Sequence, residues 1–224
     1  YREVHRRTQL PAYAAGLREL DLAVRDGLSG GQLDAFVARA EDWGDHVILA
    51  MVPVAADVLA SARDEQLARL PRAFAEDNEE MNADYAGLDE AARREVWREN
   101  VRDGLEDWIG RLRPAQEQML EAASRRAIPG QESRVEYRRR WQADFLGLLE
   151  RREGATGFRA AFLTMALHRE RWYTPAYRRW RAHNEAVLRE LGLGVLNSLD
   201  DRQQKRLSRR LTNLAEDFEA LAAR

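Results

Sequence analysis

Apolar residues recur along this chain at intervals of three and four, the spacing of one face of an α-helix. No stretch alternates with the period of two that a half-buried strand requires. Leu33, Phe36, Val37, Ala40, Val47, Ile48 and Met51 share one such face, and Trp97, Val101, Leu105, Trp108 and Ile109 share a second. Trp141, Phe145, Leu148 and Leu149 make a third, and Tyr177, Trp180, Val187, Leu188, Leu191 and Val195 a fourth. Leu207, Leu211, Leu214, Phe218 and Leu221 alternate by four and three, as the seam of a helix bundle does.

The breaks between these runs carry helix-start chemistry. A short phrase recurs at Leu28-Ser29-Gly30-Gly31-Gln32, Leu112-Arg113-Pro114-Ala115-Gln116 and Leu199-Asp200-Asp201-Arg202-Gln203, with a partial copy at Leu88-Asp89 that has Ala92 in place of Gln. Its second residue can cap free backbone N–H groups, and its Gln three positions later can reach back to the cap residue's own N–H. Arg113 weakens the cap in the second copy, and Gly30 and Gly31 loosen the first. The copies are irregularly spaced, which argues against a solenoid.

Asp26-Gly27, Ala86-Gly87, Ile128-Pro129-Gly130, Gly154 to Gly157 and Thr174-Pro175 supply the remaining punctuation. Pro11, Pro53 and Pro71 fall inside helical patterns and predict kinks or local breaks. The expectation is an all-α fold: a single elongated or curved multi-helix bundle of about nine helices with short loops. No flexible linker interrupts it, so residues 1–224 are read as one domain.

Composition narrows the function classes. Charged residues make up 33% of the chain, yet the net charge is only -2, without the basic excess of a nucleic-acid binder. There is no cysteine, which removes disulfides, thiolate catalysis and cysteine-ligated zinc. The longest apolar run, Val47 to Leu59, is broken by Pro53 and Asp57 and falls short of the roughly 20 residues of a bilayer span. The chain begins at Tyr1, inside a helical pattern reaching Leu10. A signal peptide or membrane anchor is therefore expected upstream.

No catalytic constellation emerges. His5, His46, His168 and His183 stand apart, without the spacing of a di-iron bundle or an H-E-x-x-H zinc site. Glu76, Asp77, Glu79 and Glu80 lack the glycine turn of a calcium loop and read as a solvated helix face. No G-x-S-x-G elbow or phosphate-cradling glycine loop occurs. We therefore expect no enzyme, no metal and no cofactor.

Two features bear on partners. Trp172-Tyr173 lies at a helix junction among Arg169, Arg171, Arg178 and Arg179. It reads first as a buried plug and second as a partner surface of Trp172, Tyr173, Arg171 and Arg178. Charge is also segregated: residues 19–90 hold 17 acids and 5 arginines, and residues 134–181 hold 12 arginines and 5 acids. Such stretches either attract each other within one bundle or line opposite walls of a groove.

The stretches His5-Arg6-Arg7-Thr8-Gln9-Leu10-Pro11-Ala12-Tyr13, residues 106–116 with Trp108 and Gln116, Arg138-Arg139-Arg140-Trp141-Gln142 and residues 196–203 follow in an order that resembles an uncharacterised family of bacterial lipoproteins. The resemblance implies a periplasmic protein anchored to the outer membrane by lipid, with its lipobox cysteine upstream of Tyr1. No activity or functional residue comes with it. The recurring phrase is also similar to the L-T-x-x-Q pattern of Spy-type periplasmic chaperones, with Ser29, Arg113 and Asp200 where that pattern has Thr. It implies binding of unfolded clients; the alternative is a structural or assembly component acting through self-association or a specific protein partner. Nucleic acid is not an expected partner, and membrane contact is expected only through the anchor. Codons upstream of Tyr1 that encode a signal peptide ending in a lipobox cysteine are the expected observation for the compartment.

Overall fold

All five apolar faces fall within helices of the computed structural model, which describes residues 2–83, 85–152 and 155–223. The order is α1 (Arg2–Asp26), α2 (Gly30–Ala60), a single turn α3 (Asp64–Leu67), α4 (Leu70–Ala83), α5 (Glu90–Ile109), α6 (Pro114–Arg126), α7 (Gln131–Glu150) and α8 (Ala155–Leu167). A 3-10 turn (Arg169–Trp172), α9 (Pro175–Leu196) and α10 (Asp201–Ala222) complete the chain. The structure is 86% helical, and no strand occurs among the described residues. The fold is an all-α bundle.

The helix boundaries follow from their punctuation. Pro114 and Pro175 stand at the first helical position, where the missing N–H is not needed. Thr174 Oγ1 caps α9 by accepting from Tyr177 N–H at 3.0 Å. Gly27 (φ 94) and Gly110 (φ 81) follow the last residues of α1 and α5 in the left-handed conformation that glycine adopts without strain. The prolines behave differently from one another. α1 and α2 continue through Pro11 and Pro53, whereas Pro71 falls in the first turn of α4, just after the break that ends α3. The break expected at Gly154 to Gly157 lies partly outside the described residues. Gly157 itself is already inside α8.

The chain, read from its sequence as one domain, divides into two compact units. The first comprises Tyr1–His46, Glu90–Ile128 and His183–Arg224; the second comprises Val47–Asp89 and Pro129–Ala182. In the first unit α1 packs along α10, and Leu17, Leu28, Leu120, Val187, Val195 and Leu211 lie in one buried cluster. Asp21, buried on α1, is held by Arg25 at 2.6 Å and by the Ser208 hydroxyl of α10. Two asparagines clamp backbone from α9 and its end. Asn197 accepts from Leu28 N–H and donates to Leu28 O, both at 2.8 Å. Asn184 does the same to Ile128 at 2.9 Å. Each closes a two-bond ring on a loop residue whose peptide groups would otherwise be unpaired.

The second unit has an aromatic core. Phe145, Leu149, Phe158, Met165 and Trp172 are buried with Ala56 of α2. Trp141 and Phe145 stack with centroids 5.1 Å apart. Gly130, the residue before α7, lies directly against the Trp180 indole, so that a Cβ there would fall inside the ring.

The structure corrects two expectations about α2. Its periodicity suggested one core-facing side, yet Val37, Val47 and Met51 are exposed while Ala50, Val52 and Ala56 are buried. From Val47 to Ala60 the helix is apolar nearly all round and has no unique inward face in sequence, so packing chooses one. By length and composition α2 also meets the requirement for crossing a membrane, with a mean hydropathy of 1.4 over its best 18-residue window. Ala50, Val52 and Ala56 nevertheless pack inside the second unit, and Asp57 is paired with Arg159.

Gly130→Ala is expected to lower the unfolding free energy by about 2 kcal/mol, because the indole must move or the helix start must shift. Gly31→Ala, where nothing lies within 4 Å of the added carbon, is expected to gain up to about 1 kcal/mol. Urea denaturation of the two variants measures both.

Candidate functional site

The three full copies of the recurring phrase all start helices. At α2, Gln32 N–H donates to Ser29 Oγ at 3.2 Å, and Gln32 Oε1 accepts from Ser29 N–H at 2.9 Å. At α10, Gln203 N–H donates to Asp200 Oδ1 at 2.8 Å, and Gln203 Oε1 accepts from Asp200 N–H at 3.4 Å. At α6 only half of the box forms: Gln116 Oε1 accepts from Arg113 N–H at 2.9 Å, while the Arg113 guanidinium has no acceptor to offer and donates instead to Ser198 O. Leu28 and Leu112 are buried, and Leu199 packs against the same cluster.

The third role of the phrase is tertiary. Gln116 and Gln203, 0% and 4% exposed, face each other and exchange amide hydrogen bonds of 3.0 and 2.9 Å. Gln116 Nε2 donates its second hydrogen to Ser198 Oγ at 3.1 Å, and Gln203 Nε2 donates to Arg111 O at 3.0 Å. Each carboxamide thereby makes four hydrogen bonds, the full capacity of the group. Sequence reasoning missed this pairing; the signal available to it was the shared position of Gln in two copies. These residues are internal fasteners of the first unit.

Trp172 is the buried plug of its junction, 7% exposed, with its indole N–H donating to Asp144 at 2.7 Å. The partner-surface reading thus loses its aromatic anchor. Arg171 lies over the Trp172 ring at 5.9 Å, Arg178 donates to Glu170 O at 3.2 Å, and Tyr173 Oη accepts from Arg181 at 2.7 Å. Tyr173 also joins Tyr137 and Tyr177 in a ring cluster. Burial, then the neighbouring Tyr173 and Tyr177, push the Tyr137 phenol above its ordinary range. Trp108, which its spacing places on an apolar helix face, is exposed beneath Arg210 at 5.1 Å.

Two histidines each approach a single carboxylate, His46 that of Asp42 at 3.4 Å and His168 that of Glu170 at 3.3 Å. His183 Nε2 pairs with Arg126 O at 2.7 Å and His46 Nδ1 with Asp42 O at 2.8 Å. Burial, followed by the neighbouring His46, holds His5 below the usual imidazole range. Among the described residues no three His, Asp or Glu side chains converge as a metal site. Glu76 pairs with Arg72 at 2.7 Å and Asp77 with Arg138 at 3.1 Å. The acidic and basic stretches do meet: Asp57–Arg159, Asp64–Arg152 and Asp77–Arg138 all lie within the second unit.

Apolar helix surface is exposed in both units. On the second unit's part of α2, Val47, Met51, Val54 and Val58 are 44, 54, 37 and 63% exposed and recur by four, three and four along one side. In the first unit, α2 and α9 flank a groove of about 520 Å³ lined by Leu33, Val37, Ala38, Ala186 and Leu188, with the Asp34–Arg189 pair at 2.6 Å on its wall. Sequence periodicity had placed Leu33, Val37, Val47, Met51 and Leu188 on helix faces without saying which were covered, and had not singled out Val54 or Val58.

Fold and surfaces together define an all-α helical bundle protein with exposed apolar helix surface. The chain belongs to a family of unknown function (DUF6279), whose model matches residues 1–178. No curated protein and no solved structure matches it.

Gln116→Leu alone is expected to cost about 1–3 kcal/mol, because Gln203 keeps a buried amide without its partner. Gln116→Leu with Gln203→Leu is expected to cost less than the sum, with a coupling of about 1–2 kcal/mol in a double-mutant cycle. Asp34, Glu190 and Glu219 are held below the ordinary carboxylate range, each chiefly by a hydrogen bond from Arg189, Arg126 or Arg18. Depressed carboxylates stabilise the fold above their unfolded range and lose that contribution as pH falls through the folded one. Stability is therefore expected to decline on acidification from about pH 5 to about pH 2, less steeply in high salt, as followed by circular dichroism.

Proposed function

We propose that this protein is a non-catalytic binding module of the bacterial cell envelope, lipid-anchored in the periplasm, that engages unfolded or partner proteins through exposed apolar helix surface. The stripe of Val47, Met51, Val54 and Val58 carries this reading. Four large apolar side chains on one side of a helix, each more than a third exposed, are what an apolar client segment or a partner helix can cover. The resemblance to bacterial lipoproteins supports the compartment. The Gln-containing phrase is not the binding element, since its side chains are used in capping and in the Gln116–Gln203 pair.

The four-three-four spacing of the stripe favours a second reading, in which the same side of α2 joins two copies of the chain as a helix seam in an assembly component. The two readings separate by experiment. A chaperone-like module suppresses aggregation of reduced insulin at stoichiometric excess, and Met51→Glu with Val58→Glu abolishes the suppression while circular dichroism is unchanged. Absence of suppression by the unaltered protein overturns that reading. A self-association seam instead shows concentration-dependent dimers in sedimentation equilibrium that the same double variant dissociates. Palmitate labelling of the full gene product and its recovery with outer membranes test the compartment.

A further inference from the structure

The Arg138-Arg139-Arg140-Trp141-Gln142 stretch has no part in the α2 surface, yet it borders a cleft of about 380 Å³ in the second unit, between α4, α7 and the start of α9. Ligand sites of small organic molecules commonly have volumes of about 300–1,000 Å³. We propose that this cleft is a binding site for a planar aromatic anion, held between aromatic side chains with Arg134 as its counter-ion.

Three observations carry the proposal. The first is the wall material: Phe74, Tyr137, Trp141 and Tyr177 all line the cleft. Tyr137 and Tyr177 are already stacked, with centroids 4.9 Å apart and planes inclined by 18°, so their faces and edges are fixed before a ligand arrives. Rings held in place offer stacking and edge-to-face contact to another ring without the ordering cost of a flexible alkyl wall.

The second observation is charge. Arg134 lines the cleft, is exposed, and its guanidinium has no ion-pair or hydrogen-bond partner among the described residues. Arg138, also in the lining, uses one nitrogen on Asp77 at 3.1 Å. Among the described residues, no acidic side chain lines the cleft. Aromatic faces alone would equally attract a cation. The unpaired Arg134 guanidinium, beside an Arg138 already engaged by Asp77 and with no carboxylate among the described lining residues, reverses that preference and selects an anion.

The third is the polar floor. Gln142 lines the cleft and also an adjoining cavity of about 310 Å³, and its Oε1 accepts from Asn78 Nδ2 at 2.7 Å. The buried polar pair fixes α4 against α7 at the cleft's base, so the site is preformed by packing. Phe74 is common to both cavities.

The site is independent of the α2 stripe and shares no residue with it. The test uses naphthalene-2-sulfonate titrated into the full chain, followed by calorimetry and tryptophan fluorescence, with uncharged 2-naphthylmethanol and inorganic sulfate as comparisons. The expected result is saturable binding of one naphthalene-2-sulfonate per chain, about fivefold or more tighter than 2-naphthylmethanol, and no binding of sulfate. Arg134→Gln brings the sulfonate to within about twofold of the alcohol, Arg134→Lys retains the preference, and Arg209→Gln on α10 leaves it unchanged. Tyr177→Leu weakens sulfonate and alcohol alike. Lack of saturation at about 1 mM naphthalene-2-sulfonate overturns the proposal, as does an Arg134→Gln variant of native circular dichroism that binds like the unaltered protein.

Discussion

Two carboxamides, Gln116 and Gln203, bind the starts of α6 and α10 to each other at a point closed to water. Each also accepts from the backbone N–H of the residue just before its own helix, Arg113 or Asp200, so one side chain performs a local and a long-range task at once. A buried amide left unpaired costs about 1–3 kcal/mol, whereas a satisfied one contributes about 1 kcal/mol per bond, so the arrangement is held by the penalty for breaking it. Ser198 and Arg111 extend the network into the loops that precede these helices. The helices that carry Leu120, Leu207 and Leu211 into the core are thereby set in register by polar groups, while the apolar side chains supply most of the burial.

The asparagine clamps obey the same constraint. Asn184 and Asn197 each close on both peptide groups of a loop residue, Ile128 and Leu28. Loops held this way cannot drift without exposing the clamp's own unpaired amide, which keeps the turns between helices short and defined. The second unit relies on different material: stacked rings, the Trp172–Asp144 hydrogen bond, and ion pairs between its acidic and basic stretches. These pairs are mostly solvent-exposed and individually weak, so aromatic packing dominates there.

Much of the fold was legible because helix signals are local. Ser29, Asp200, Pro114, Thr174 and Pro175 mark boundaries that the structure reproduces, and the seam from Leu207 onward lies inside one helix. The plug at Trp172 was the favoured sequence reading, and it is buried. Two of the four boundaries between the units, His46/Val47 and Ala182/His183, fall inside α2 and α9, and the other two coincide with ordinary breaks between helices, so composition did not mark the division. A boundary inside a continuous helix needs no Gly, Ser or Pro linker to signal it.

The exposed side of α2 was illegible for a different reason. Helical periodicity ranks faces by polarity, and α2 between Val47 and Ala60 has hardly any polar residue to rank, so Ala50, Val52 and Ala56 could not be told from Val47, Met51 and Val58. The sequence by itself determined the all-α class, the helix starts and the lack of any familiar catalytic motif, because capping and periodicity act between neighbours in the chain. Only the tertiary structure decided which Gln side chains meet, which apolar residues stay in contact with solvent and which arginine faces an aromatic cleft. Those outcomes depend on residues far apart in sequence, whose pairing no local rule encodes.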